Sequence, residues 1–293
     1  MTYFKYSEPL FRPPAEAYSA IIQATLGCSW NQCAFCEMYT SKKFKVRKLE
    51  ELKPEIETLS KIYVGAKKVF LADGNAFVLS ANHLIPILEE INKHFGRIQR
   101  ISSYALPKDI LSKSDDELKK LREHGIKLLY IGIETGDDEL LQLINKGETS
   151  ESTVGGILKA NNAGIETSIM IINGLGGKMY SEQHAINSAK IINRINPRFL
   201  STLTLSMPFG ESHFINRFKG EYIPLSVVEL FEELRTFISI TELNNVIYRS
   251  NHVSNNLILS GTLSKDKENL IKQIDKAIAS TPRGLYPSSP LML

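Results

Sequence analysis

"TLGCSWNQCAFCEMY", residues 25–39, contains every cysteine of the 293-residue chain. Cys28, Cys33 and Cys36 follow a C-x4-C-x2-C spacing with no fourth cysteine to complete a set. An odd, clustered trio argues against a disulfide framework and for a reducing compartment, so the cytoplasm is the expected location. A structural zinc ion closes its tetrahedron with four protein ligands. The nearest downstream histidine, His83, lies beyond the next apolar run and does not offer a local fourth. An iron–sulfur cluster can instead be held by three thiolates with one iron left open. The residues alone leave three readings: a zinc module, an electron-transfer cluster, or a cluster with a vacant iron.

Outward from this loop, short apolar runs alternate with helical stretches. Expected strands cover residues 19–26, 68–72, 98–103, 128–133, 166–172, 199–205 and 245–248. Their near-continuous apolar character suits a parallel sheet covered on both faces. Expected helices cover 49–62, 83–94, 114–124, 152–163, 181–194, 226–239 and 265–279. Ser80 or Asn82, Ser114 with Glu117, and Ser181 are the expected caps, and Gly96, Gly125 and Gly164 the expected stops. Each strand–helix pair takes roughly 30 residues, one βα unit. About six such units read as an α/β fold, a partial parallel (β/α)6 TIM-like barrel rather than the short doubly wound sheet whose pattern is similar. Its parts are an N-terminal extension at 1–17, a core barrel at 18–250, and a C-terminal helical extension and tail at 251–293. In such barrels the loops after the strands carry the chemistry, and the cysteine loop follows the first strand.

Composition sets few further bounds. A net charge of +3 and 43% hydrophobic residues fit a globular protein. Neither nucleic acid nor a membrane is expected as a partner at so mild a charge. No apolar run approaches the roughly 18 residues of a membrane span. The first residues lack an apolar signal core.

The cysteine loop, with Phe35 just before its last cysteine, resembles that of the radical S-adenosylmethionine (SAM) enzymes. The family's usual first spacing is three residues, and this chain has four, Ser29, Trp30, Asn31 and Gln32. LADGNA, residues 71–76, falls where the family receives the amino group of SAM, in a form that departs from its commonest two glycines, glutamate and proline. IGIETGDDELLQLINKG, residues 131–147, is similar to the fourth-strand segment of relatives of the anaerobic coproporphyrinogen oxidases and methylthiotransferases. The resemblance covers roughly residues 18–250.

It implies a [4Fe-4S] cluster on Cys28, Cys33 and Cys36, with SAM chelating the open iron. One electron from reduced flavodoxin or ferredoxin then cleaves SAM, and the resulting 5′-deoxyadenosyl radical abstracts hydrogen from a small-molecule substrate. Phe35, Asp73, Gly74, Ser103, Glu134 and Asn173 are the residues the resemblance assigns to SAM. Arg249 and His252, with Asn251 and Asn255 in YRSNHVSNN, form a polar group where substrate would enter.

Each assignment has a plainer counterpart. Asp73 fits a turn or cap after its strand. Glu134 fits a carboxylate at the start of the next helix. Ser103 and Asn173 fit strand ends, and the 249–255 group fits polar capping of the final turn. The run KKFKVRK, residues 42–48, is by default a solvated face, with an anionic substrate or an acidic electron donor as the alternatives. With no further cysteines, no auxiliary cluster on thiolates is expected. No cobalamin-binding domain is expected in the 17 residues before the first strand, and no RNA-binding module after the barrel. RNA modification therefore stands as a secondary alternative.

Overall fold

The computed structural model describes residues 5–287. The first four residues of the expected N-terminal extension and the last six of the tail lie outside the described residues. The chain forms two compact units. One comprises the described residues up to Asn31, with Met38–Ile131 and Gly155–Thr167. The other comprises Gln32–Glu37, Gly132–Val154 and the described residues from Ser168 onward.

In the first unit β1 (Ala20–Gln23), β2 (Lys68–Ala72), β3 (Arg100–Tyr104) and β4 (Ile126–Glu134) lie side by side in chain order. Each neighbouring pair is parallel, with Ala20 opposite Val69 and Val69 opposite Ile101. β1 is buried end to end, and β2 is buried from Val69 to Ala72. This is the burial expected of parallel strands covered on both faces. The helices α1 (Leu49–Ile62), α2 (Ala81–Phe95), α3 (Pro107–Leu111) and α4 (Asp115–Glu123) provide cover. α1 turns Leu52, Ile56 and Leu59 inward at helical spacing and packs on β1 and α2. α4 opens with the expected capping box: Ser114 Oγ accepts from Glu117 N at 3.1 Å, and the Glu117 carboxylate accepts from Ser114 N at 2.7 Å.

The remaining helices are α5 (Asp138–Leu143), α6 (Ser150–Asn162), α7 (Gly177–Ile195), α8 (Glu211–Ile215), α9 (Val227–Ile240) and α10 (Lys267–Ser280). In the second unit β5 (Glu166–Asn173), β6 (Phe199–Thr204) and β7 (Val246–Ser250) are parallel, and β8 (Leu259–Leu263) runs antiparallel to β7. α9 packs between α7 and α10, and Ser226 caps it with Glu229 three residues on.

Three local expectations shift. The stretch 19–26 is not one strand; it breaks at Ala24, and Thr25–Leu26 instead forms a short antiparallel ribbon with Lys45–Val46. That ribbon closes the two ends of the cysteine loop. Ser181 is no cap, because α7 already starts at Gly177. Two glycines at the true start hide it from propensity, and Ser181 Oγ donates to Glu233 Oε2 at 2.6 Å. β8 falls in a stretch expected to be helical; its Gly261 and exposed polar residues weaken the strand signal of an edge position.

Candidate radical SAM site

The site residues of the first unit gather where β2 ends. Asp73 is fully buried, and its two carboxylate oxygens are occupied: Gln23 Nε2 donates at 2.9 Å, Gly27 N at 2.9 Å and Lys42 Nζ at 2.9 Å. Asp73 N and Gly74 N in turn donate to the carbonyls of Thr25 and Gly27. The segment after β2 is thereby laced to the residues just before Cys28. Gly74 is required by closeness, since a Cβ there would stand 2.6 Å from the Tyr39 ring and 2.9 Å from Cys28 Cβ. Lys42 is thus drawn out of the basic run into a buried ion pair, and Arg47 forms a two-armed bridge to Glu55. The solvated-face reading holds only for the rest of that run.

Asn75 completes this group. It is fully buried, and its Nδ2 donates to Ser29 Oγ at 2.8 Å and to Asp109 Oδ2 at 2.5 Å. Flipping the amide would set its oxygen against the Asp109 carboxylate, so the orientation is fixed by its partners. Its Oδ1 is buried without a hydrogen-bond donor. A buried acceptor left open costs about 1–3 kcal/mol, which makes it a place for a ligand's N–H. Ser103, by contrast, is satisfied: its hydroxyl lies 3.1 Å from Leu71 O and 3.0 Å from Tyr104 O.

In the second unit the CAFC segment and the turn after β4 hold each other. Ala34 N donates to Ile144 O at 2.8 Å, Cys36 N to Cys33 O at 3.2 Å, and Arg217 Nη1 to Cys36 O at 3.2 Å. Phe35 packs against an apolar cluster that includes Leu140, Phe214 and Phe218. Glu134 is nearly buried and adopts a left-handed backbone, φ 67°, a conformation that costs a non-glycine residue about 1–3 kcal/mol. Its carboxylate is no helix cap. It accepts from Lys146 Nζ at 2.8 Å, and Lys146 lies 5.5 Å from the Phe35 ring centroid. Burial alone would pull the Lys146 ammonium down, but Glu134 and the sulfurs of Cys33 and Cys36 outweigh it and hold it above the ordinary lysine value.

The rest of the ETGDD turn is tied to α7. Thr135 Oγ1 meets His184 Nδ1 at 2.8 Å, and Gly136 N donates to Ser188 Oγ at 2.9 Å. Asp137 caps α5 and also accepts from Asn187 and Gln183. Asn173 ends β5 buried, its carbonyl accepting from Leu205 N. Beyond it, the buried Glu233 accepts from Gly174 N at 2.6 Å, and burial raises its carboxyl to about 7. Burial likewise lowers His184 to about 4.

Arg249 is exposed and donates to Tyr248 O. His252 is half-buried with Nδ1 2.8 Å from Ser254 Oγ, and burial lowers its pKa. Asn255 bonds Thr204 N, Thr202 O and Ser250 Oγ, which is the polar capping of the final turn. Sequence reasoning missed Lys146 and Asn75. Their signals were present, a lysine twelve positions past the end of an apolar strand and an amide beside the expected Asp73-Gly74, but burial decides both.

The model of the Radical SAM superfamily matches residues 22–189, more than half of the chain. This chain belongs to the radical SAM superfamily. It is 24% identical over 228 residues to a Methanocaldococcus jannaschii protein named "Putative methylthiotransferase MJ0865", covering 71% of this chain and 49% of that one. The chain therefore spans about half the length of that curated relative. The coproporphyrinogen III oxidase of Escherichia coli, a radical SAM enzyme, superposes with a TM-score of 0.61 at 19% identity, covering 75% of this chain and 52% of that one. A radical SAM methyltransferase of Kitasatospora setae, solved with cobalamin and a [4Fe-4S] cluster bound, gives 0.53 at 20% identity over 65% and 38%. These likenesses establish the partial-barrel fold. Radical SAM proteins are enzymes that bind a [4Fe-4S] cluster and SAM and need a reductant and a substrate.

The residues present fit such a cluster. Cys28, Cys33 and Cys36 are outside any disulfide and at least half buried, and the Lys146 ammonium stands beside Phe35 in the CAFC segment. Among the described residues no three His, Cys, Asp or Glu side chains converge as one metal ion requires. A cluster takes its thiolates at separate corners and does not require such convergence.

Proposed function

We propose that Cys28, Cys33 and Cys36 hold a [4Fe-4S] cluster whose fourth iron takes SAM, and that the chain starts radical chemistry on a small-molecule substrate. The observation that carries this reading is the trio itself: three cysteines outside any disulfide in one strand-end loop inside the matched region, with no fourth cysteine in the chain. The bound cluster would supply the electron that cleaves SAM.

The chain's own residues then have the following tasks. Asp73, Gly27 and Lys42 set the start of the cysteine loop, and Gly74 lets Cys28 pass close. The open acceptor of Asn75 receives the ammonium of SAM, in place of an Asp73 side chain whose oxygens are already engaged. Ser103 and Asn173 border the nucleoside, with Asn173 and its neighbouring backbone facing the adenine or ribose. Phe35 and Trp30 restrict water at the cluster, and restricted water moves cluster potential. Glu134 acts through Lys146. Arg249 and His252 are the proposed substrate contacts.

Reduced flavodoxin or ferredoxin is the proposed donor and the cytoplasm the proposed location. Among the described residues no helix is long and apolar enough to cross a membrane.

The test is anaerobic reconstitution with iron and sulfide, followed by reduction in the presence of SAM. Release of 5′-deoxyadenosine and methionine supports the reading. A reduced cluster that releases neither is an electron carrier, and a colourless protein that binds zinc is a structural module. Transfer of the same activity to RNA substrates alone would favour the RNA-modifying alternative.

A further inference from the structure

We infer that Lys146, clamped by Glu134, is a fixed positive charge set against the Cys33 and Cys36 side of the cluster, and that it raises the cluster's reduction potential. This rests on the cluster proposed above and goes beyond it, from which residues hold the cluster to what sets its potential.

Three contacts, all within the second unit, fix the charge. Lys146 is 4% exposed, and its ammonium is bound to Glu134 Oε1 at 2.8 Å. The same ammonium stands 5.5 Å from the ring centroid of Phe35, the residue between Ala34 and Cys36. The two segments are also tied by a main-chain bond from Ala34 N to Ile144 O and by the Asn145 side chain, whose Nδ2 donates to Gln32 O at 3.3 Å. The chain just before Lys146 is therefore held to the cysteine segment.

Burying an ammonium is costly unless it is paired, so an apolar side chain here would be the cheaper way to build the turn. What the lysine supplies is a positive charge beside the cysteine segment. Its ammonium stands at the Phe35 ring, one residue before Cys36, and its carboxylate partner sits at a strand end held in a left-handed conformation. Reduction adds one negative charge to the cluster. In a site shielded from water a nearby cation stabilises that added charge more than it would at the surface. Arg217 is the comparison within the same unit. It is half-buried, with Nη1 donating to the carbonyl of Cys36 and lying 3.2 Å from His213 Nε2, so its charge is better screened.

The experiment is a redox titration of the anaerobically reconstituted full chain without SAM, read by electron paramagnetic resonance, so that neither SAM binding nor turnover enters. Lys146→Met is expected to shift the oxidised-to-reduced ratio at fixed potential at least tenfold toward oxidised, about 59 mV for a one-electron couple. Lys146→Arg keeps the charge and stays near wild type. Glu134→Gln leaves the ammonium unopposed and moves the ratio the other way. A purely structural role would not give shifts of opposite sign.

A Lys146→Met midpoint within about threefold of wild type overturns the inference, as does a Glu134→Gln shift in the same direction. If Lys146→Met takes up no cluster, the sign of the Glu134→Gln shift decides. A wild-type chain that holds no cluster overturns both this inference and the proposed function. A cluster with an unmoved midpoint overturns this inference alone.

Discussion

Replacing Asp73 with asparagine tests how the start of the cysteine loop is held. The carboxylate has no solvent exposure and accepts from three donors, one of them the Lys42 ammonium, whose side chain is 8% exposed. Removing one partner of a buried ion pair costs about 3–5 kcal/mol, because the other charge is left uncompensated. Either orientation of the new amide also points an NH2 group at an existing donor, Gln23 Nε2 on one side or Gly27 N with Lys42 on the other. A misdirected buried donor costs about 1–3 kcal/mol. Lys42 Nζ keeps one contact, to Ser7 O at 2.6 Å, which offsets part of the loss. The expected net destabilisation is about 3 kcal/mol. The assay is urea unfolding of the reduced, metal-free chain, in which the midpoint falls while the slope is unchanged. Lys42→Met in the same chain should restore part of the loss. A loss below about 1 kcal/mol would mean that the pair behaves as a solvated surface bridge, and the reasoning would be refuted.

Gly74→Ala drives a methyl group into Cys28 Cβ and Tyr39, so iron content after reconstitution should fall while secondary structure is kept; unchanged iron would contradict the close-approach argument. Gly132→Ala places a Cβ 2.0 Å from Glu134 Oε1. It should cost about 1–3 kcal/mol, and much less in a Glu134→Ala background, which a double-mutant cycle measures. Glu233 is raised from 4.5 to about 7 in the folded chain, so the folded state binds its proton more tightly than the unfolded state. Its contribution is complete below about pH 4.5 and is lost as pH rises through 7, about 3 kcal/mol in all. Glu233→Gln should therefore gain stability relative to wild type at pH 8 and gain nothing at pH 4. His184, lowered to about 4, titrates the opposite way over an overlapping window, so the comparison is made between variants rather than from the wild-type curve alone.

The parts of the fold that read directly from sequence are those fixed by local chemistry. The run 68–72 and the helix 49–62 match β2 and α1, and Ser114 with Glu117 three residues on gives its capping box. The short helices α3, α5 and α8 carry too few residues for a periodic signal, although Asp137 and Asp138 already suggest the start of α5. At the site, the cysteine trio is legible because thiols in this spacing have few other uses. Glu134 was visible as a carboxylate at the end of an apolar strand, but its partner was not. Lys146 sits in a polar stretch, NKGE, whose composition points to solvent, and only the fold brings it onto Phe35. Asp73 shows the converse limit: the sequence singles it out, and the three donors around it come from residues 23, 27 and 42, which no spacing rule connects.

Ligation of SAM at the open iron is tested most directly by electron–nuclear double resonance on the reduced cluster, using SAM isotopically labelled at its amino nitrogen. The account predicts a coupling between that nitrogen and the cluster, weakened when Asn75 is replaced by alanine. A cluster whose spectrum is indifferent to SAM, labelled or not, would contradict it.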